Sequence, residues 1–272
     1  MNYVRLSNGV EIPQLGLGVF QTPEGEQTVN SVKWALEAGY RHIDAARIYG
    51  NEKSVGLGMK ESGVARSEIF LTTKLWNEDI RQGRAKAAFE ESLTDLQTDY
   101  VDLYLIHWPA DGYEKAWGDM EELYAAGRIK AIGVSNFHRH HLERLEKTAK
   151  LLPTVNQIES HPHFNNQELI DYCHGRGIAV EVWSPLGGTG GNLLQDPVLV
   201  ELAGKYGKTS AQIVLRWDIQ RSVVVIPKST HQARIVSNQE VFDFELTGKD
   251  MERIDGLNRN QRVGADPEHF DF

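Results

Sequence analysis

Val101-Asp102-Leu103-Tyr104-Leu105-Ile106-His107 is an apolar run that ends on an imidazole. Two earlier runs end in the same way. Tyr40-Arg41-His42-Ile43-Asp44 closes on a carboxylate, and Ile69-Phe70-Leu71-Thr72-Thr73-Lys74 closes on an amine. Apolar runs of this kind, alternating with helical patterns, read as strands buried on both faces of a parallel sheet. The C-terminal ends of parallel strands lie on one face. Asp44, Lys74 and His107 then converge there, with Tyr49 in the loop that follows Asp44.

Working outward, short apolar runs recur near residues 15–17, 40–44, 69–74, 101–107, 131–135, 154–158, 178–183 and 223–227. The 3.6-residue periodicity predicts helices over 26–38, 82–96, 114–126, 138–149, 166–175, 197–206, 209–220 and 230–237. Gly39, Gly127 and Gly177 fall where helices end, as C-terminal caps do. Eight strand-helix units favour a closed barrel over an open doubly wound sheet. The expected fold is α/β, a single (β/α)8 TIM barrel spanning residues 1–272. Alternation on either side of Asn8-Gly9 predicts an N-terminal β-hairpin ahead of it. The segment 258–272 has weak periodicity and is expected to wrap over the barrel.

The net charge of −9 and pI of about 5.6 speak against a nucleic-acid partner. No apolar run approaches a membrane span, and residues 1–5 lack the pattern of a signal peptide. The lone Cys173 excludes an internal disulfide and a cysteine metal cluster. It lies in an amphipathic pattern and reads as a packed core thiol. A monomeric protein of the cytoplasm is expected.

Barrel enzymes work at the C-terminal ends of their strands, so the convergent set has a chemical reading. A phenol has a pKa of about 10 and is a poor acid at neutral pH. A neighbouring Lys74 ammonium would lower that of Tyr49, and Asp44 would hold the ammonium charged and in place. His107 could aim a carbonyl oxygen at the pair. Such a site gives a proton to a carbonyl oxygen while another group supplies hydride. Phe20, Trp76 and Trp108, just beyond the first, third and fourth strands, suggest an apolar mouth for a small-molecule carbonyl substrate. Lys228 ends the eighth run and Ser229 precedes a helix, which with Arg234 makes a phosphate site in an acidic chain. No Gly-x-Gly-x-x-Gly follows the first strand, so the Rossmann fingerprint is absent.

Gly39-Tyr40-Arg41-His42-Ile43-Asp44-Ala45-Ala46, with Tyr49, Asn51-Glu52 and Val55-Gly56, resembles the first signature of the aldo-keto reductases. Ile132-Gly133-Val134-Ser135-Asn136-Phe137 resembles the family's fifth-strand motif. Asn156-Gln157-Ile158-Glu159 with His161-Pro162 resembles its sixth, and Ile226-Pro227-Lys228-Ser229 the signature after strand eight. The ending Gly264-Ala265-Asp266-Pro267-Glu268-His269-Phe270 resembles the bacterial branch of 2,5-diketo-gluconate and glyoxal or methylglyoxal reductases. The resemblance implies NADPH as cofactor and catalysis by Tyr49, Lys74, Asp44 and His107. It implies that Ser135, Asn136 and Gln157 hold the nicotinamide carboxamide, with Trp183 stacked on the ring. Ser184, Pro185 and Leu186 would pass over the pyrophosphate, Lys228, Ser229 and Arg234 would hold the 2′-phosphate, and Asn238 would face the adenine. His231 stands near a position where some relatives carry another Arg, which weakens the expectation of strict NADPH preference.

Other classes compete. A non-catalytic NADPH-binding protein of the same fold is one, against which the complete tetrad argues. A metal-dependent barrel hydrolase is another, with His161, His163, Asp44 and His107 as rival ligands. Lys74 at their centre would repel a divalent cation, and His161-Pro162 already belongs to the reductase pattern. No metal is therefore expected. Ser135 and Ser184 lie outside any Gly-x-Ser-x-Gly motif and do not read as hydrolase nucleophiles. His138, His140 and His141 read as a solvated helix start.

Overall fold

The computed structural model describes residues 2–272. A two-stranded antiparallel hairpin, β1 (Tyr3–Arg5) and β2 (Glu11–Pro13), precedes eight parallel strands. These are β3 (Leu17–Gly18), β4 (His42–Asp44), β5 (Phe70–Leu75), β6 (Val101–Ile106), β7 (Ile129–Ser135), β8 (Val155–Glu159), β9 (Ala179–Trp183) and β10 (Val224–Val225). Each pairs with its neighbour in chain order. Parallel bridges Leu15–Val225 and Gly18–Lys228 join the last strand to the first and close the barrel. All eight expected strand runs are thus strands, within a few residues at their ends.

β6 shows how the pattern works. Leu103 and Leu105 point into the barrel, where they pack with Phe70, Ala131, Val155 and Val224. Tyr104 and Ile106, on the opposite face, belong to the outer core between sheet and helices. Both faces are apolar because both are covered. The hairpin supplies Leu6 and Ile12 to the inner cluster and so plugs the barrel at the end away from His107. Its connection is longer than a two-residue turn. Leu6 and Val10 are joined by a backbone hydrogen bond of 2.8 Å, and Gly9 takes φ 88°. Cys173 is buried, as expected, and burial pushes its thiol up to about 11.

The helices differ from the sequence expectation in three places. The helix expected over 82–96 starts at Ala85 and runs to Leu96, and a separate short helix Asn77–Arg81 precedes it, because Gly83 takes φ 66° between them. Helix Gly248–Asp255 precedes the final segment. Helix Glu52–Glu61 fills the gap between β4 and β5, where the apolar period is weak. Its Gly56 and Gly58 obscure the period because they serve packing. A Cβ on Gly56 would lie 2.5 Å from the Leu96 carbonyl oxygen, and one on Gly58 would lie 2.8 Å from that of Val29. The helix therefore rests almost backbone to backbone on its two neighbours, which fixes the loop that carries Tyr49. Gly56→Ala should force these helices apart and cost about 2 kcal/mol, in the range of overpacked cores. Urea denaturation would read this as a lower midpoint at unchanged slope.

Candidate active site

Asp44 ends β4 and Lys74 is the penultimate residue of β5, so the closed barrel sets them side by side at its rim. Lys74 Nζ donates to Asp44 Oδ1 at 2.6 Å, to the Ala45 carbonyl at 3.0 Å and to Tyr49 Oη at 3.3 Å. Tyr49 sits on the 3-10 turn Arg47–Tyr49. His107 follows β6, its ring centroid 5.7 Å from that of Tyr49. The four residues read from the strand ends do converge.

The electrostatics follow from burial. Lys74 is fully buried, which disfavours its charge, yet the Asp44 and Tyr49 that face it outweigh this and raise it to about 12. Burial pushes the Asp44 carboxyl up, while Lys74 and Gln157 pull it down. Lys74 is held charged by the carboxylate form, so the two stand as an ion pair. The expected lowering of Tyr49 is corrected by the structure. Burial raises the phenol more than the Lys74 ammonium lowers it, so its net direction is upward. Tyr49 is thus a fully protonated donor at neutral pH. Burial and Lys74 hold His107 well below its usual value, as a neutral imidazole.

Ser135 and Asn136 at the end of β7 are buried, as is Gln157 on β8. Asn136 donates to the His107 carbonyl at 3.0 Å and accepts from Trp183 Nε1 at 2.9 Å. Gln157 Nε2 donates to Asp44 Oδ2 and to Glu181 Oε2, each at 2.9 Å. Ser184 takes φ 52°, turning the chain after β9, and Leu186 packs on two core clusters just before the glycine-rich loop 187–191. Thr189 of that loop reaches Gln21 at 3.3 Å, so the loop spans the barrel mouth. Lys228 and Arg234 are exposed, and neither pairs with a carboxylate among the described residues. They flank the start of helix Gln232–Gln239, whose N-cap His231 gives no side-chain cap. Ser229 accepts the His231 N–H at 3.1 Å, and Asn238 is buried in the same helix. Free cations beside an uncapped helix start are a donor set suited to a phosphate.

Phe20 lies at the mouth, 55% exposed and 5.0 Å from the Tyr49 ring. Trp76 packs 5.3 Å from His107. The final segment crosses the mouth as expected. Phe272 stacks on Trp76 at 5.7 Å, and Phe270 lies 5.2 Å from Trp108. Sequence reading placed the segment but gave none of its side chains a role. Two anchors hold it. Buried Glu159, at the end of β8, accepts the backbone N–H groups of Val263 and Gly264. His138 bonds Glu268 through Nδ1 and Arg262 through Nε2. His138 and His141 are therefore half-buried parts of a clasp rather than a solvated face, while His140 is exposed.

The rival metal set is not assembled. His161 turns to Glu159 at 3.2 Å, and the one cluster of possible ligands among the described residues is His138, His141 and Glu268. In that cluster Arg262 can only donate, so His138 Nε2 accepts and Nδ1 carries the hydrogen. His141 Nδ1 accepts the His138 backbone N–H at 3.1 Å. Both lone pairs are taken.

A barrel with this rim defines a class of carbonyl-reducing enzyme, and comparison agrees. Residues 14–259 match the model of the aldo/keto reductase family. The chain is 54% identical to the glyoxal reductase of Bacillus subtilis, covering 99% of this chain and 97% of that protein. It is 45% identical to the methylglyoxal reductase DkgA of Escherichia coli, covering 98% and 97%. Among solved structures, a Bombyx mori aldo-keto reductase in complex with NADP matches with a TM-score of 0.91 at 38% identity, covering 97% of this chain and 95% of that one. The chain belongs to the aldo/keto reductase family and is an NADP-dependent oxidoreductase that reduces carbonyl groups.

Glu159→Ala would leave the Val263 and Gly264 amides without their acceptor. Hydrogen exchange should then accelerate across 262–272 while β8 stays protected. Unchanged exchange in that segment would show that Glu159 does not anchor it.

Proposed function

We propose that Tyr49 is the proton donor in NADPH-dependent reduction of small aldehydes and α-dicarbonyls, within one barrel domain spanning residues 1–272. The observation that carries this is Lys74 Nζ lying between Asp44 Oδ1 and Tyr49 Oη. NADPH bound there would supply the hydride for the carbonyl carbon. Tyr49 passes its hydroxyl proton to the carbonyl oxygen as negative charge builds there. Lys74 then faces a forming phenolate and stabilises it, with Asp44 keeping the ammonium in place. Neutral His107 offers an N–H to the same oxygen and fixes its position. Ser135, Asn136 and the Gln157 amide oxygen would hold the nicotinamide carboxamide, with the flat face of Trp183 against the ring. Ser184, Pro185 and Leu186 would line the pyrophosphate path, Lys228, Ser229 and Arg234 the 2′-phosphate, and Asn238 the adenine.

Phe20, Trp76 and Trp108 would receive the substrate, and the names of two relatives, a glyoxal and a methylglyoxal reductase, support a small dicarbonyl. A monomer in the cytoplasm remains our reading of the rest. The single thiol is buried, and no helix among the described residues is long and apolar enough to cross a membrane.

Oxidation of NADPH with methylglyoxal, followed by absorbance, tests the activity. Tyr49→Phe should lower kcat/KM by about 10²–10⁴-fold, the range for loss of a general acid, while NADPH still quenches tryptophan emission with near-normal affinity. Parallel loss of cofactor binding would contradict the donor role. Lys228→Ala and Arg234→Ala should each weaken NADPH by about ten- to a hundredfold, as loss of a charge-assisted bond does. NADH, which lacks the 2′-phosphate, should bind almost as before. Equal weakening of both cofactors would remove these residues from the phosphate site.

A further inference from the structure

Below the rim the barrel holds a second carboxyl group that the reaction does not use. Glu181 is the middle residue of β9, fully buried. Its Oε2 accepts from Gln157 Nε2, the same nitrogen that donates to Asp44. Its Oε1 has no hydrogen-bond partner and lies 3.4 Å from His42 Nε2, which in turn is 3.1 Å from Thr72 Oγ1. A buried carboxylate oxygen with no donor is costly. The cost disappears if that oxygen carries a hydrogen and turns it to the imidazole.

We propose that Glu181 is a positioning residue for the Tyr49 donor: as a neutral acid it shares the Gln157 amide with Asp44, so that Asp44 alone places negative charge beside Lys74 and Tyr49. This rests on the reading of Tyr49 as donor. The groups that face Glu181 are His42 and Asp44 of β4, Lys74 of β5 and Gln157 of β8, with Tyr49 above them. The adjoining β10 offers only Val224 and Val225. Two arrangements carry the same net charge, neutral Glu181 with neutral His42, or an ion pair of the two. Burial of both favours the neutral form. It pushes Glu181 up to about 8, helped by Asp44, and pushes His42 down to about 3.

The consequence has a sign. Below pH 8 Glu181 keeps its proton. Above it, a second carboxylate joins the network. Its field raises the Tyr49 phenol further and binds Lys74 more tightly to the carboxylates, so Tyr49 becomes a weaker acid. Reduction should therefore fall on an alkaline limb near pH 8, below the range in which Tyr49 itself would ionise. Folding follows the same sign. A carboxyl raised by folding binds more protons folded than unfolded, so its contribution to stability declines as pH rises from the ordinary carboxylate range through about 8.

The test compares wild type, Glu181→Gln and Glu181→Met, folded as judged by circular dichroism, in kcat/KM profiles from pH 6 to 9. A group with a pKa near 8 is about nine-tenths ionised at pH 9, so wild type should lose up to about tenfold across this range. Both variants should lose the limb, raising the pH 9 to pH 6 ratio by up to about tenfold. An alkaline limb unchanged in both variants would overturn the proposal. Infrared spectra of the wild-type protein give a readout independent of turnover. In the difference between wild type and Glu181→Gln, which cancels Asp218, another buried carboxyl raised by burial, a protonated carboxyl band should be present at pH 6 and bleach near pH 8. Its absence from that difference would show Glu181 ionised at pH 6 and sink the idea. Failure of the Tyr49 assignment would show instead as activity retained in Tyr49→Phe, whatever the infrared band does.

Discussion

The ion pair between Lys74 and Asp44 is the constraint on which the rest of the structure depends. Lys74 is fully buried, and removing an ammonium and a carboxylate from water costs several kcal/mol each. A single contact of 2.6 Å does not offset that. The remainder comes from bonds to the Ala45 carbonyl, Tyr49 and Gln157. These partners lie on the loop after β4 and on β8, across the barrel. The pair is therefore tolerable only once the sheet has closed, and the site and the barrel are one construction.

The barrel interior is divided along its axis. At the hairpin end Leu6, Ile12, Phe70, Leu103, Leu105 and Val224 pack without polar groups. Above them lies a layer of His42, Thr72, Gln157 and Glu181, and above that the tetrad. Each charge near the rim thus has an apolar plug on one side. Field lines between the groups are poorly screened there, and adding or removing one proton is felt across the set. This explains why burial sets the direction of most shifts in the site. It lifts Glu181 and Tyr49, depresses His42 and His107, and is overcome at Lys74, where Asp44 and Tyr49 face the ammonium.

Much of this was legible in the chain because it is local. Apolar runs that close on Asp44, Lys74 and His107 give both the strands and the rim. The phosphate-suited set at Lys228, Ser229 and Arg234 follows from a strand end beside a helix start. What was hidden depends on contacts between distant segments. Gly56 and Gly58 break the apolar period of a helix whose closest packing they permit. Glu181 is one polar residue in a strand, and nothing nearby in sequence marks Gln157 and His42 as its neighbours. The direction of the Tyr49 shift was misread for a related reason. A sequence names the ammonium that lowers a phenol but not the depth at which the two are buried.

The final segment joins the two halves of the site. Its Phe270 and Phe272 build the wall against Trp76 and Trp108. A few residues earlier, Gly264 lies on the six-membered ring of Trp183 so closely that no Cβ could fit between them. Trp183 is in turn hydrogen-bonded to Asn136, which also holds the His107 carbonyl. A displacement of the segment at Glu159 is therefore transmitted in two directions, to the aromatic mouth and to the indole. The shape of the substrate wall and the position of the group that would support the nicotinamide are set by the same anchor. Substitutions that reshape the segment for a larger carbonyl will then alter cofactor contacts as well, unless Gly264 and the carboxylate beneath it are left in place.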